Sequence, residues 1–144
     1  MKLIYPVLVL FIISGCKKES VEIEAIATMK VNIVKTWKFD STFVAKPTYS
    51  GVISCLPGNT TFSFEKNGTF HSTTKRVDTD FCTMSASTCS SIWTIPNSKS
   101  LKIANRGCVF GNYLEFEIIK LTADTMRLQT TEGDLVYEHI FTPN

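Results

Sequence analysis

The sequence lacks the residue groupings on which most catalysis and metal binding depend. Its only histidines are His71 and His139, far apart in the chain, and it has no Ser-His-Asp grouping and no glycine-rich phosphate loop. Each histidine lies in a strand-like segment, which favours a hydrogen-bonded or surface role over catalysis. Asp78 and Asp80 offer carboxylate oxygens, but the other ligands of a calcium loop are missing, so a solvated turn is favoured. The sequence therefore predicts neither an enzyme nor a metal or cofactor.

The sequence also lacks concentrated charge and long apolar segments beyond its start. Fifteen Lys and Arg residues are balanced by thirteen Asp and Glu residues and are scattered, which argues against a nucleic-acid surface. No apolar run after residue 13 approaches the ~20 residues that span a bilayer. From residue 36 onward no segment has a helical period, so nothing supplies the crossover that parallel strands need. These absences predict a single antiparallel domain.

An apolar run over residues 3–13, interrupted only by Tyr5 and Pro6, opens the chain and is followed by Ser14, Gly15 and Cys16. It is too short for a mature transmembrane helix and fits the apolar region of a signal peptide. The order of apolar run, small pair and cysteine resembles the bacterial lipobox. That resemblance implies removal of residues 1–15 and acylation of Cys16, with palmitate-like chains that anchor the protein stably. The alternatives are an ordinary secretory leader or an uncleaved membrane helix.

The residue after Cys16 bears on which bacterial membrane would receive the lipoprotein. It is Lys17, where enteric lipoproteins retained in the inner membrane carry Asp, so the resemblance implies the outer membrane, on its periplasmic or surface-exposed face. Residues 16–29 are interpreted as the lipidated N-terminus and a tether, running into a short helix between Val21 and Lys35. Residues 30–144 form the predicted domain.

Strand-like segments separated by turn residues fill the rest of the chain. They cover residues 36–41, 60–65, 69–77, 89–95, 100–104, 113–121, 125–130 and 135–141, with a long polar loop over residues 78–88. Around Gly68, a three-residue hairpin loop pairs Phe64 with Phe70 and Phe62 with Ser72, which keeps the aromatic rings on one face.

Eight short strands, each joined to the next, predict an all-β, eight-stranded antiparallel up-and-down barrel with a short N-terminal helix. Closure removes exposed strand edges. The interior of such a barrel is just wide enough for side chains or for one small ligand. A two-sheet sandwich is the alternative architecture.

Four cysteines remain once Cys16 is assigned to the lipid: Cys55, Cys82, Cys89 and Cys108. An even number outside the cytoplasm predicts two disulfides, and four cysteines allow three pairings. A zinc site is disfavoured because no Cys-x-x-Cys spacing occurs. In a meander the first, third and fifth loops lie at one end, and extending the hairpin registers predicts Cys55–Cys82 and Cys89–Cys108 at that rim.

Several segments together resemble lipocalin-like domains. The opening strand at residues 34–39, the hairpin at 62–70, the pair at 93–103 and the hairpin at 113–128 occur in the order found in small bacterial lipocalin-like lipoproteins. The resemblance covers roughly residues 30–142 and implies a barrel and a small ligand. Two departures set the chain apart from the retinol- and bilin-carrying members. Lys35 replaces the glycine of Gly-x-Trp, and no arginine follows the final strand to stack on Trp37.

The barrel interior is the predicted ligand pocket, and Tyr49, Phe81 and Met84 are the predicted gate at its rim. Its candidate residues are Trp37, Phe39, Phe62, Phe64, Phe70, Trp93, Leu101, Ile103, Phe116, Leu128 and Tyr137. One hypothesis is that the anchored barrel binds or carries a small apolar molecule in the bacterial envelope. The other is a packed interaction module that recognises a partner through its rim loops. The sequence predicts no oligomeric state.

Overall fold

A computed structural model describes residues 5–44, 58–79, 82–104 and 115–144, without the side chains of residues 5–18, 79, 82 and 84. Within these ranges the chain forms one helix and ten strands. They are α1 (Tyr5–Ile33), β1 (Thr36–Val44), β2 (Thr60–Phe64), β3 (Thr69–Thr74), β4 (Val77–Thr79), β5 (Cys82–Met84), β6 (Ser87–Asn97), β7 (Ser100–Ile103), β8 (Glu115–Leu121), β9 (Met126–Glu132) and β10 (Leu135–Pro143).

Eight of the strands close into an antiparallel barrel in the order β1-β10-β9-β8-β7-β6-β3-β2, which confirms the predicted fold. The predicted hairpin register is also confirmed, since Phe64 pairs with Phe70 and Phe62 pairs with Ser72. Gly68 supplies the left-handed turn residue, with φ of 88°. Every barrel strand thus pairs on both sides, and no edge is left open.

The two remaining strands replace part of the predicted polar loop at residues 78–88. Val77 does not continue the third predicted strand but opens β4, where it pairs with Met84 of β5. Strands β4 and β5 form a two-stranded sheet that is separate from the barrel. Local pairing satisfies backbone groups that a long connection would otherwise leave to water.

Helix α1 is longer than the predicted short helix, because it runs from Tyr5 to Ile33 and includes the residues interpreted as a tether. No proline or glycine occurs between residues 16 and 33, and Ala, Glu, Lys, Met and Ile dominate that stretch. These residues favour helix over an extended tether. Pro6 lies in the first turn, where its missing N–H costs nothing.

The C-terminal half of α1 packs on one end of the barrel, which we call the helix end. Ile33 is fully buried in the core, and Ile26 and Met29 pack against it. The Glu22 carboxylate accepts hydrogen bonds from the N–H of Ser98, at 2.7 Å, and from its hydroxyl, at 2.8 Å. Ser98 lies in the β6–β7 turn, and antiparallel topology places the β2–β3 and β8–β9 turns at the same end. We call the opposite end the open end.

Trp37 joins the helix to the barrel. Its indole Nε1 donates to the Ile33 carbonyl at 2.9 Å. The ammonium of Lys35 lies 5.2 Å from the centroid of the Trp37 ring and donates to the Ala123 carbonyl at 2.7 Å. Lys35 therefore supplies a cation over this tryptophan.

A β-bulge at Asp40 changes which residues of β1 face the interior. Pairing with β10 shifts between Phe39 and Ser41. Regular alternation from Trp37 and Phe39 would put Ser41 inside. Instead Thr42 is buried, because the bulge inserts one extra residue and reverses the faces beyond it. Phe43 is correspondingly 44% exposed.

Candidate functional site

The half of the barrel interior near the helix end is filled with aromatic rings. Phe62 lies at the centre, with ring centroids 5.1 Å from Phe70 and 5.2 Å from Phe141. Phe64 and Phe70 lie 5.0 Å apart, and Phe39 and Phe141 lie 5.2 Å apart. These spacings are those of tilted and edge-to-face aromatic contacts in a close-packed core.

Ten of the eleven predicted pocket residues are buried, and Tyr137 is half-buried. They face inward as predicted, and in the helix half they pack against one another. Their role as ligand contacts stays a prediction. Any space for a ligand must then lie toward the open end.

The interior changes character toward the open end, where buried polar side chains replace the rings. They are Thr42, Thr60, Thr130 and His139. The hydroxyls of Thr60 and Thr74 are 3.2 Å apart and hydrogen-bonded. Every buried side-chain N or O atom among the described residues has a hydrogen-bond partner. Such satisfied polar groups inside a barrel are candidates for ligand recognition.

His139 is the centre of this polar region. Its Nδ1 is hydrogen-bonded to Thr42 Oγ1 at 2.9 Å, and its Nε2 to Thr130 Oγ1 at 3.0 Å. The rings of Phe39 and Phe116 each lie 6.2 Å from the imidazole, measured between centroids. Burial among them lowers the pKa of His139 from 6.5 to about 4, because the charged form loses its hydration. The imidazole is therefore neutral at pH 7. We call Thr42, Thr130 and His139 the His139 cluster.

A neutral imidazole orients its two threonine partners in opposite senses. One ring nitrogen carries a proton and donates it, and the other nitrogen accepts. One threonine hydroxyl therefore accepts from the ring and keeps its own proton to donate elsewhere. The other hydroxyl donates to the ring and keeps lone pairs that accept. The cluster thus presents both a donor and an acceptor to a molecule that reaches it.

Three strands bring the cluster together. Thr42 comes from β1, Thr130 from β9 and His139 from β10, with Thr42 directly opposite His139 in the β1–β10 pairing. The sequence pattern did not indicate these three residues as a site. A signal for His139 was present, because it lies between Tyr137 and Phe141 on one strand and so shares their inward face. The alternation of inward and outward residues along β1 did not indicate that Thr42 faces the interior, because that orientation depends on the bulge.

The predicted rim is only partly described. Cys89 is half-buried on β6 and pairs with Ser72 of β3. The other residues lie outside the described residues (Tyr49, Cys55, Asp80, Phe81 and Cys108) or have side chains that are not described (Cys16, Cys82 and Met84). Both disulfide pairings and the gate stay predictions.

His71 and Asp78 lie on the surface. His71 Nδ1 is hydrogen-bonded to Ser90 Oγ at 2.8 Å, and its Nε2 lies 3.3 Å from a Glu65 carboxylate oxygen. Asp78 pairs with Arg76 at 3.4 Å. Over the described ranges, His, Cys, Asp and Glu side chains form no group of three that could hold a metal ion. Within the same ranges, no helix is both long enough and apolar enough to cross a membrane.

Comparisons with known proteins relate the chain to a fold. No family model matches the sequence, and no curated protein matches it significantly. Among solved structures, the chain is similar to the crystal structure of a lipocalin-like protein from Bacteroides uniformis ATCC 8492. The two share 15% sequence identity with a TM-score of 0.53, over 78% of this chain and 99% of that one. At this identity the likeness concerns the fold, which is an eight-stranded lipocalin-like barrel.

Proposed function

We propose that this chain is a lipid-anchored protein of the bacterial outer membrane whose barrel binds or carries a small, mainly apolar molecule with one polar group. The observation that carries the proposal is the change along the barrel interior, from packed rings at the helix end to the His139 cluster toward the open end.

The ligand would occupy the open half, because aromatic side chains already fill the helix half. Its apolar part would contact Val44 and the rings of Phe39 and Phe116, while its polar group forms hydrogen bonds with the Thr42 and Thr130 hydroxyls. Burying a hydroxyl or carbonyl without such partners would cost several kcal/mol, roughly 2–7. The cluster would therefore select ligands that carry a polar group at one position. Lipocalin-like folds at this strand number have room for one such molecule.

The anchor is supported by the sequence at residues 10–16 and by the direction of α1. Acylation at Cys16 would attach lipid upstream of the part of α1 that packs on the helix end. The open end, where a ligand would enter, is then left clear of the anchor. The predicted Cys55–Cys82 and Cys89–Cys108 disulfides would hold the loops at that end, each contributing about 2–4 kcal/mol.

Native mass spectrometry of the mature protein, purified from its own membranes, tests for the ligand. We expect a small molecule to copurify, and its occupancy to fall in the Thr42→Val Thr130→Val variant. The matched control is Thr94→Val, which removes an exposed hydroxyl from the outer wall of β6. A wild-type protein that yields no small molecule on lipid extraction and has a fully packed interior would overturn the proposal.

Labelling with a radioactive fatty acid tests the anchor. We expect the wild-type protein to carry the label and to sediment with membranes, and a Cys16→Ser variant to lose both properties. A Cys16→Ser protein that remained equally labelled and membrane-bound would show that the lipid is not on this residue.

A second candidate function is a packed barrel that recognises an envelope or extracellular partner through its rim loops. The observation that favours it is the filling of the helix half by rings at 5.0–5.2 Å. Crosslinking in intact cells that enriches one envelope protein, with no bound small molecule, would favour this candidate over the first.

A further inference from the structure

A groove of about 350 Å³ lies beside the C-terminal part of α1, at the helix end of the barrel. Its apolar lining comes from Val31, Val34 and the edge of Trp93, and two lysines, Lys30 and Lys66, stand at its sides. Lys30 is in the last turn of α1, and Lys66 is in the β2–β3 turn. The groove therefore combines an apolar floor with two cations.

Lys30 and Lys66 differ from Lys102 and Lys35, whose ammonium groups have partners within the protein. Lys102 pairs with Glu115 at 3.1 Å, and Lys35 donates to a carbonyl. In the part of the chain that the structure describes, no carboxylate forms an ion pair with Lys30 or Lys66. Both ammonium groups are thus available to an external anion.

An apolar strip on the outer side of α1 continues the groove. Ile23, Ala27 and Val31 follow one another at intervals of four residues, so they lie on one face of the helix. Ile23 is 62% exposed and Val31 is 75% exposed. The opposite face carries Ile26 and Met29, which pack on the barrel. The strip is therefore the unpartnered face of a helix whose other face is already used.

Acidic residues on α1 are placed away from the groove. Glu22 is bonded to Ser98 on the barrel side, and Glu19 and Glu24 are exposed beside Ile23, at the end of the strip farthest from the groove. The C-terminal part of α1, from Thr28 to Ile33, has no acid and includes Lys30. The surface beside the groove is consequently apolar and cationic.

We propose that the strip and the groove together form a docking face for an anionic phospholipid bilayer. A lipid phosphate would lie between Lys30 and Lys66, and the upper part of an acyl chain would lie against Val31, Val34 and Trp93. Exposed aliphatic residues beside lysines are the pattern of helices that lie in a membrane interface, where each lysine near an anionic surface adds attraction.

The choice of a bilayer as the occupant rests on the anchor in the proposed function. Cys16 precedes Ile23 by seven residues of the same helix, which is about 10 Å at 1.5 Å per residue. An acyl group at Cys16 would therefore hold the strip within reach of the lipid headgroups. With α1 lying on the bilayer, the helix end of the barrel faces the membrane and the open end faces away from it.

Lysine footprinting tests the docking face in the mature acylated protein. The protein is reconstituted into vesicles of phosphatidylcholine, with or without phosphatidylglycerol, and acetylated, and each lysine is quantified by mass spectrometry. We expect acetylation of Lys30 and Lys66 to fall several-fold when phosphatidylglycerol is present. Lys75, exposed after β3 toward the open end, should be unchanged. Equal acetylation of all three lysines in both vesicles would overturn the proposal.

Matched variants separate this face from general apolar exposure. In the Cys16→Ser mature chain, affinity for phosphatidylglycerol vesicles should fall roughly tenfold with Val31→Asp or with Lys30→Gln Lys66→Gln. Ile92→Asp is the control, because Ile92 is 61% exposed on the outer wall of β6 and does not line the groove. Equal effects of Val31→Asp and Ile92→Asp would contradict the docking face.

The outcomes distinguish the docking face from the anchor. Failure of the anchor appears as an absence of fatty acid on Cys16, whatever the footprint. Failure of the docking face appears as unchanged Lys30 and Lys66 acetylation in protein that carries the fatty acid. If these lysines were protected in whole envelopes but in neither kind of vesicle, the bilayer would not be the occupant of the docking face. A protein partner would be indicated instead.

Discussion

The two halves of the barrel are built from the same eight strands but use different chemistry. Near the helix end, rings such as Phe62 and Phe141 pack without polar atoms, and Ile33 of α1 covers them. Toward the open end, Thr42, Thr130 and His139 are buried in a hydrogen-bonded cluster. Packing stabilises the first half. The second half must satisfy every buried polar group with a hydrogen bond to avoid a loss of stability.

The largest effect should come from removing a ring in the helix half. Phe62→Ala deletes a fully buried side chain that contacts Phe64, Phe70 and Phe141, and should lower the free energy of unfolding by about 3–5 kcal/mol. Urea unfolding measures the loss. Thr60→Ala, two residues earlier on the same strand, should cost only ~1 kcal/mol, for one hydrogen bond. Similar losses of unfolding free energy in both variants would contradict the difference in stabilisation between the two halves.

The pH dependence of stability should come from the open half. The folded-state pKa of His139, about 4, lies below its unfolded value of 6.5, so the unfolded chain binds more protons in this range. Its contribution is therefore present above pH 6.5 and is lost as the pH falls toward 4, for a total of about 3 kcal/mol. Urea unfolding at pH 5 and pH 7.5 should show a smaller difference in His139→Gln than in wild type. An identical difference in both proteins would contradict burial of a neutral imidazole.

Removing one hydroxyl of the cluster should have an intermediate effect. Thr42→Val leaves a nitrogen of His139 buried without its partner and should cost about 1–3 kcal/mol. In the Thr42→Val background, His139→Leu should cost less stability than it does in the wild type, because it removes the unsatisfied nitrogen. A double-mutant cycle measured by urea unfolding gives the coupling. Strict additivity of the two substitutions would mean that Thr42 and His139 do not act together.

The smallest effect should come from the contact that holds α1 on the helix end. Glu22→Gln weakens the charged acceptor for the N–H and hydroxyl of Ser98 and should cost about 1 kcal/mol, because the site is only partly buried. Hydrogen exchange should rise in α1 before it rises in the barrel strands. Glu24→Gln, on the exposed side of the same helix, should leave both measurements unchanged.

Much of the barrel could be predicted because the sequence repeats one pattern. Aromatic residues alternate on both sides of Gly68, so only one register keeps Phe62, Phe64 and Phe70 together, and that register is confirmed. The pairing of Trp93 with Ile103 is confirmed for the same reason. Each barrel strand pairs with the next barrel strand along the chain, as the predicted up-and-down order requires.

The candidate site was less predictable because it depends on an irregularity and on burial. Thr42 faces inward only because of the bulge at Asp40, and a bulge has no signature in the alternation of Trp37 and Phe39. His139 shares a face with Phe141, but its hydrogen bonds come from β1 and β9, which only the closed barrel brings together. The extent of α1 was missed because the polar residues after Cys16 were interpreted as a tether, although they favour helix.

The bulge at Asp40 also affects how related sequences should be aligned. It behaves as a one-residue insertion that the barrel has absorbed, since Ser41 resumes pairing with Ile140 after it. A relative without the insertion should be aligned with a gap at position 40, which keeps its own interior residue in the column of Thr42. Without that gap, every column from 41 to 44 would compare an interior residue with an exterior one. The position of that single gap therefore decides which residue of a relative is compared with Thr42.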